Sequence, residues 1–70
     1  MYNFQQSFSS SLRTARETAH LTQREMSERL GVSRSAYTYY ETGHSLPDLN
    51  SFTEICRILG VSADSMLGLA

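Results

Sequence analysis

The amino-acid sequence predicts an all-α fold, a compact bundle of five short helices. Apolar residues recur at intervals of three and four along most of the 70 residues, which is the period of a helix with one buried face. Gly31, Gly43 and Gly60 each follow such a stretch, as expected of a residue that ends a helix in the left-handed conformation. No stretch alternates at period two for long enough to form a strand, so we expect no sheet.

The first predicted helix ends near His20, and the second begins immediately after it. The apolar residues of the first helix are spaced by four, three and four, which keeps them on one face: Phe8, Leu12, Ala15 and Ala19. The second helix begins at a capping-box pattern, in which Thr22 and Glu25 can satisfy each other's backbone amides. Gly31 ends it after about two turns.

Three more helices follow, and each has a capping residue at its start. Ser33 is a good N-cap for the third helix, which Gly43 closes after about nine residues. Pro47 marks the next break, and Asp48 caps the fourth helix. Ser62 caps a short fifth helix. The apolar stripe of the fourth helix consists of Leu49, Phe52, Ile55, Cys56 and Leu59.

The composition limits the classes of function that are open to the chain. Seventy residues predict one domain, 1–70, with a core too small to make a catalytic cleft a good expectation. The net charge is -1, from six arginines, no lysine and seven carboxylates. Nucleic-acid binders usually carry a basic surplus, so any such function must depend on where the charges lie.

Several features indicate a cytoplasmic chain. No apolar run approaches the roughly 20 residues that cross a bilayer. The first residues, MYNFQQSFSSS, have neither the basic nor the apolar region of a secretory signal. Cys56 is the single cysteine, which excludes an intrachain disulfide and fits a reducing compartment.

No arrangement of reactive residues predicts catalysis, a metal or a cofactor. His20, His44 and Cys56 are too far apart to form a pair at metal-ligand spacing, and Cys56 fits better as a small core residue. There is no glycine-rich phosphate loop and no serine in a nucleophile elbow. We therefore expect no metal, no cofactor and no enzymatic activity.

Two short helices joined through a glycine-containing turn can hold the second helix out toward a DNA groove. Several segments carry a more specific pattern, in this order along the chain: TQREMSERLGVS, YYETG, LPDL and LGVSADSML. From about residue 12 to residue 67 the sequence resembles the phage-repressor and Xre-type, or lambda-repressor-like, helix-turn-helix family. The resemblance implies a DNA-binding domain whose recognition helix, residues 34–42, enters the major groove.

The resemblance also implies which residues read the bases, since this family uses the first two residues of the recognition helix and others one turn later. The predicted base contacts are Arg34, Ser35, Thr38 and Tyr39, which helical spacing can place on one face. The guanidinium of Arg34 can donate two parallel hydrogen bonds to guanine O6 and N7. The alternatives for Arg34 are a phosphate contact or a solvated charge.

Contacts to the DNA backbone are implied at the ends of helices, where unpaired amides and the helix dipole suit an anion. Gln23 begins the second helix, and the alternative for it is a solvated side chain. In the loop after the recognition helix such contacts often use main-chain amides, and His44 stands where many family members have Lys or Arg. The predicted backbone contacts are Gln23, Ser33, Gly43, His44 and Asn50.

Other residues of this region have expected structural roles. Arg16 and Glu41 match a pair that in the family forms a largely buried salt bridge, so they are predicted to form a structural ion pair. Tyr37 and Tyr40, three residues apart, are expected to face the core and to need hydroxyl partners. Tyr39 points the other way, toward DNA.

The sequence thus predicts a sequence-specific double-stranded DNA-binding transcriptional regulator, in particular a repressor, of prokaryotic or phage origin. An alternative is a protein-interaction module, such as an antitoxin or adaptor, because the positive charge is weak. One recognition helix discriminates poorly, so a homodimer on a pseudo-palindromic operator is expected. Met66, Leu67 and Leu69 can supply the dimer contact; alternatively they close the core, or a longer parent chain continues beyond Ala70.

Overall fold

The computed structural model describes residues 3–69, and these residues contain five α-helices and no strand. The helices are α1 (Phe4–Thr18), α2 (Gln23–Leu30), α3 (Arg34–Thr42), α4 (Leu49–Leu59) and α5 (Ala63–Leu67). The predicted all-α fold of five helices is therefore confirmed. Over the same residues, no helix is both long enough and apolar enough to cross a membrane.

Each helix begins at a side chain that accepts a backbone hydrogen bond. The N-caps are Asn3, Thr22, Ser33, Asp48 and Ser62, of which all but Asn3 are predicted from the sequence. At α2 the capping box is complete: Thr22 Oγ1 accepts from the Glu25 N–H at 3.0 Å, and Glu25 Oε1 accepts from the Thr22 N–H at 2.8 Å. The backbone N–H of Thr22 is the main cause that lowers the pKa of Glu25.

The N-terminal end of α1 lies one turn before the first residue of its predicted apolar face. The Asn3 side chain accepts a hydrogen bond from the Gln6 N–H at 3.2 Å, which fixes the start of the helix. The ring of Phe4 then stacks on that of Phe8, with centroids 6.1 Å apart. The Asn3 cap and the pair of phenylalanine rings therefore account for the first turn of α1, which the apolar spacing alone does not predict.

The core is small, and every helix contributes to it. Its buried apolar residues are Phe8, Leu12, Met26, Tyr37, Ile55 and Met66, each exposing 3% or less of its surface. Tyr40 and Cys56 are partly buried and pack against this cluster. Tyr37 and Tyr40, which the helical period predicts to face inward, therefore both contact the core. Burial raises the pKa of the Cys56 thiol.

Leu49 lies outside the core, so its predicted place on the apolar stripe of α4 is wrong. Its side chain is 82% exposed, whereas Ile55 is fully buried. The two are six positions apart, which at about 100° per residue puts Leu49 about 120° around the helix from Ile55. The three-residue spacing to Phe52 suggests a shared face, but Leu49 falls beyond the edge of the stripe.

Met66 is a core residue, which corrects the proposal that it contributes an exposed dimer contact. It is 3% exposed, so for Met66 the alternative of closing the core holds. Leu67 is half-buried, and Leu69 is 74% exposed. The third alternative, a longer parent chain beyond Ala70, lies outside the described residues.

His20 terminates α1 in an unfavourable backbone conformation. Its φ is 59°, and it is the one residue other than glycine with a positive φ between residues 3 and 69. The N–H of His20 donates to the Glu17 carbonyl at 3.0 Å and that of Leu21 to the Arg16 carbonyl at 3.2 Å. This is the left-handed helix ending that glycine usually adopts. The predicted end near His20 agrees with the structure to within two residues.

Replacing His20 with glycine is therefore expected to raise the free energy of unfolding by about 0.5 to 1 kcal/mol. Glycine removes the left-handed penalty but adds entropy to the unfolded chain, which limits the gain. Gly31→Ala is the matched reverse change, because Gly31 has a φ of 70° and an added Cβ would meet no atom within 4 Å. It should lose about 1 kcal/mol. Urea unfolding followed by circular dichroism measures both, and a destabilised His20→Gly variant would show that the imidazole itself supports the fold.

Candidate nucleic-acid interface

The turn between α2 and α3 fixes the angle at which α3 leaves the bundle. Gly31 takes the left-handed conformation at the end of α2, and the N–H of Val32 donates back to the Ser27 carbonyl at 3.1 Å. Ser33 Oγ then accepts from the Ala36 N–H at 3.0 Å and starts α3. Only three residues separate the two helices, and α3 packs directly against α2.

One face of α3 is buried in the bundle, and the opposite face, here called the open face, is exposed to solvent. Tyr37 and Glu41, four residues apart, are buried. The four residues predicted to contact bases all lie on the open side: Arg34, Ser35 and Tyr39 are exposed, and Thr38 is half-buried. Thr38 Oγ1 donates to the Arg34 carbonyl at 2.8 Å, so the hydroxyl keeps its acceptor lone pairs for an outside partner.

The exposed ring of Tyr39 is stacked against the imidazole ring of His44. The two ring centroids are 5.1 Å apart with an interplanar angle of 23°. Thr42 Oγ1 lies 3.1 Å from His44 Nδ1, so this nitrogen already has a hydrogen-bond partner. The sequence placed Tyr39 with the base contacts and His44 with the backbone contacts, and the structure joins them in one unit.

The first three main-chain amides of the loop after α3 are already hydrogen-bonded. The N–H groups of Gly43, His44 and Ser45 all donate to the carbonyl of Tyr39, at 3.1 Å for His44 and 3.3 Å for Ser45. The amides of Gly43, His44 and Ser45 are therefore not free for a phosphate in this structure. The side chain of His44 is exposed and is the polar aromatic group that this part of the loop presents to solvent.

The carboxylate of Glu41 joins α1, α2 and α3. Arg16 donates from Nε to Oε2 at 2.6 Å and from Nη2 to Oε1 at 3.1 Å. The Tyr37 hydroxyl donates to Oε2 at 2.5 Å, and Gln23 Nε2 donates to Oε1 at 3.0 Å. The side chain of Glu41 is 0% exposed and that of Arg16 12%. The ion pair is thus buried, and its carboxylate has a donor at each of its acceptor positions.

The hydrogen bonds of this cluster keep its members in their ordinary charge states. Burial of Glu41 opposes its ionisation, but the bonds from Arg16, Tyr37 and Gln23 together outweigh burial and lower the pKa of Glu41. The bond to Glu41 raises the pKa of Arg16. Burial, with the Glu41 bond added, raises the pKa of Tyr37. At neutral pH the buried pair is therefore ionised and Tyr37 is neutral.

The remaining residues predicted to touch the DNA backbone lie at helix ends. Gln23 is half-buried at the start of α2; one of its two amide N–H donors is directed at Glu41, and the other remains. Ser33 is exposed and keeps its O–H as a donor while its oxygen caps α3. Asn50 is exposed in the first turn of α4. Gly43 is half-buried and closely approaches α1.

A family model described as "Helix-turn-helix" matches residues 12–66, a range that contains α2, the turn and α3. The chain belongs to the helix-turn-helix family. The resemblance seen in the sequence is thereby confirmed over most of the chain.

Curated relatives carry the same domain. The uncharacterized HTH-type transcriptional regulator YqaE of Bacillus subtilis is 43% identical over 60 residues, which cover 86% of this chain and 52% of that protein. The SPbeta prophage-derived uncharacterized HTH-type transcriptional regulator YonR of B. subtilis is 38% identical, covering 86% and 56%. The cryptic phage CTXphi transcriptional repressor RstR of Vibrio cholerae is 32% identical, covering 81% and 51%. The chain spans about half the length of these relatives.

Most carboxylates of this helix-turn-helix domain are paired or used in caps. Glu28 lies 3.4 Å from Arg24 on α2, and Glu25 belongs to the capping box. Glu54 pairs with an arginine of its own helix, α4. Between residues 3 and 69 no carboxylate lies within 4.0 Å of the Arg34 guanidinium. The weak overall charge therefore still leaves a cation on the open face of α3.

Proposed function

We propose that this helix-turn-helix chain is a sequence-specific double-stranded DNA-binding transcriptional regulator that acts as a repressor. In the proposed complex α3 lies in the major groove, with Arg34, Ser35, Thr38 and Tyr39 at the base edges. The observation that carries the proposal is the open face of α3, whose opposite face is fixed by the buried Glu41 cluster. Family membership and the names of the relatives, one of them a phage repressor, support it.

The backbone of the DNA is held on either side of the recognition helix. The remaining amide donor of Gln23 and the hydroxyl of Ser33 face phosphates at the starts of α2 and α3. In the loop after α3, where the amides of Gly43, His44 and Ser45 are already hydrogen-bonded, the side chain of His44 contacts a phosphate, and Gly43 allows the backbone to approach closely. Asn50 completes the contacts from the first turn of α4.

The active form is a homodimer on a pseudo-palindromic operator, with half-sites about one helical turn apart. Two or three base contacts, each contributing roughly 1 to 3 kcal/mol, do not distinguish one site in a genome. Two protomers double the free-energy difference between the operator and an unrelated sequence. The protein acts in the cytoplasm, on chromosomal or phage DNA, and has no catalytic role. The names of its relatives, which are transcriptional regulators, support a role on DNA.

Selection from a random duplex library tests the proposal directly. We expect a single enriched sequence with dyad symmetry, and an affinity that falls log-linearly with salt concentration because phosphate contacts release counterions. Sedimentation of the enriched complex gives the number of protomers per duplex. If no sequence is enriched while a protein copurifies stoichiometrically with the chain, the protein-interaction alternative replaces the DNA-binding one.

A further inference from the structure

Arg13 is a basic residue of α1 that the sequence did not single out, and it lies against the Glu41 cluster. Its Nε is 3.9 Å from Glu41 Oε1, too far for a hydrogen bond. Glu41 already accepts two bonds from Arg16 and one each from Tyr37 and Gln23. A carboxylate has about four acceptor positions, so Glu41 leaves the donors of Arg13 available to another group.

The charges of the cluster do not cancel. Two guanidinium groups, of Arg13 and Arg16, face one carboxylate, which leaves one net positive charge. The Arg16 side chain is 12% exposed and the Arg13 side chain 58%, so the surplus charge lies at the surface on Arg13. Throughout residues 3–69, Glu41 is the one carboxylate within 4.0 Å of Arg13.

Arg13 also lines a polar groove of about 330 Å³ between α1 and the carboxyl end of α3. Gln6 and Ser10 of α1 and Thr42 of α3 line the same groove. Hydroxyl and amide groups beside an arginine are donors that commonly accompany phosphate contacts. Thr42 follows Tyr39 by three residues on α3, so the groove continues the open face of α3 toward its carboxyl end.

We propose that Arg13 binds a backbone phosphate of the DNA strand that passes the carboxyl end of α3, with Glu41 positioning its guanidinium. The inference rests on the proposed function, because a strand lies there only if α3 enters the major groove. A phosphate contact adds affinity for all sequences and carries no base preference. Arg13 therefore contributes to affinity and salt dependence, and not to the choice of operator.

The test compares Arg13→Gln with the wild-type chain on two duplexes, the enriched sequence and an unrelated one of about two helical turns. We expect the affinity for both to fall about tenfold for each bound protomer, because each protomer loses one charge-assisted hydrogen bond. The slope of log affinity against log salt should become shallower by about 1 for each bound protomer, and so by about 2 for the proposed dimer, because each protomer loses one phosphate contact. The preferred sequence should not change, and Arg13→Lys should keep the wild-type slope.

Arg57→Gln is the matched control, because Arg57 is an exposed arginine that pairs with Glu54 on α4. It should leave the affinity and the slope unchanged. The proposal is overturned if Arg13→Gln keeps the wild-type slope, changes the preferred base pairs, or abolishes cooperative unfolding, which would make Arg13 part of the fold. If the wild-type chain shows no salt-dependent DNA binding, the proposed function itself fails, and the two failures are therefore distinguishable.

Discussion

Replacing Glu41 with glutamine is expected to lower the free energy of unfolding by about 3 to 5 kcal/mol. The change keeps the volume of the side chain but removes the charge that pairs with Arg16, which is itself 12% exposed. Glutamine also brings an amide N–H₂ into a space where four donors converge. A domain of 70 residues has a total stability of about 4 to 10 kcal/mol, so the variant should be close to unfolding at room temperature. Urea unfolding at neutral pH measures the loss.

Glu54→Gln provides the control for a surface pair, since on α4 the Arg57 side chain is 69% exposed and that of Glu54 47%. That variant should lose less than about 1 kcal/mol. The double variant Arg16→Met with Glu41→Gln should lose less than the sum of the two single changes, because no unpaired guanidinium remains. Equal losses for Glu41→Gln and Glu54→Gln would mean that the buried cluster contributes no more than a surface pair.

The contribution of Glu41 also depends on pH, in a direction fixed by its pKa. The folded state holds the pKa of Glu41 below its ordinary value of 4.5, so the stabilisation is fully present above that value and is lost as the pH falls through the folded pKa. Between wild type and Glu41→Gln the stability difference should therefore narrow below pH 4.5. The pKa of Glu25 is lowered too, but Glu25 is present in both chains and its effect cancels.

Local features of the fold are readable from the sequence because each depends on a few neighbouring residues. The capping box of Thr22 and Glu25 and the left-handed Gly31 need only contacts within one helix end, and they occur where the sequence places them. The inward face of α3 follows from the helical period through Tyr37 and Tyr40, which both contact the core. Such signals fix where helices begin, end and face the core.

Contacts between distant segments are less readable, because they depend on how the helices pack. Gln23 donates to Glu41 across 18 residues, and no spacing rule predicts that bond. The stacking of Tyr39 on His44 depends on the path of the loop after α3. Arg13 could have been noticed from its place three residues before Arg16 on one helix, but its distance from Glu41 requires the packing of α1 on α3.

Replacing Arg34 with alanine is expected to reduce the preference of the protein for particular base pairs by about 1 to 3 kcal/mol in each half-site. The residue begins α3, is exposed, and, among residues 3–69, lies within 4.0 Å of no carboxylate. Its guanidinium can therefore reach guanine O6 and N7 without first breaking an ion pair. Competition binding with duplexes changed at one base pair at a time measures the loss and locates the contacted position.

Arg34→Lys separates base reading from a phosphate contact at the same position. Lysine keeps the charge but lacks the planar pair of donors. It can therefore replace arginine in a phosphate contact, whereas it is a poor replacement for arginine in a bidentate contact to guanine. We expect Arg34→Lys to retain the wild-type salt slope while losing preference at the same base pairs as Arg34→Ala. Recovery of wild-type preference by lysine would instead assign Arg34 to the backbone. Base reading would then rest on Ser35, Thr38 and Tyr39, and the ring of Tyr39, which is 50% exposed, can contact a thymine methyl group.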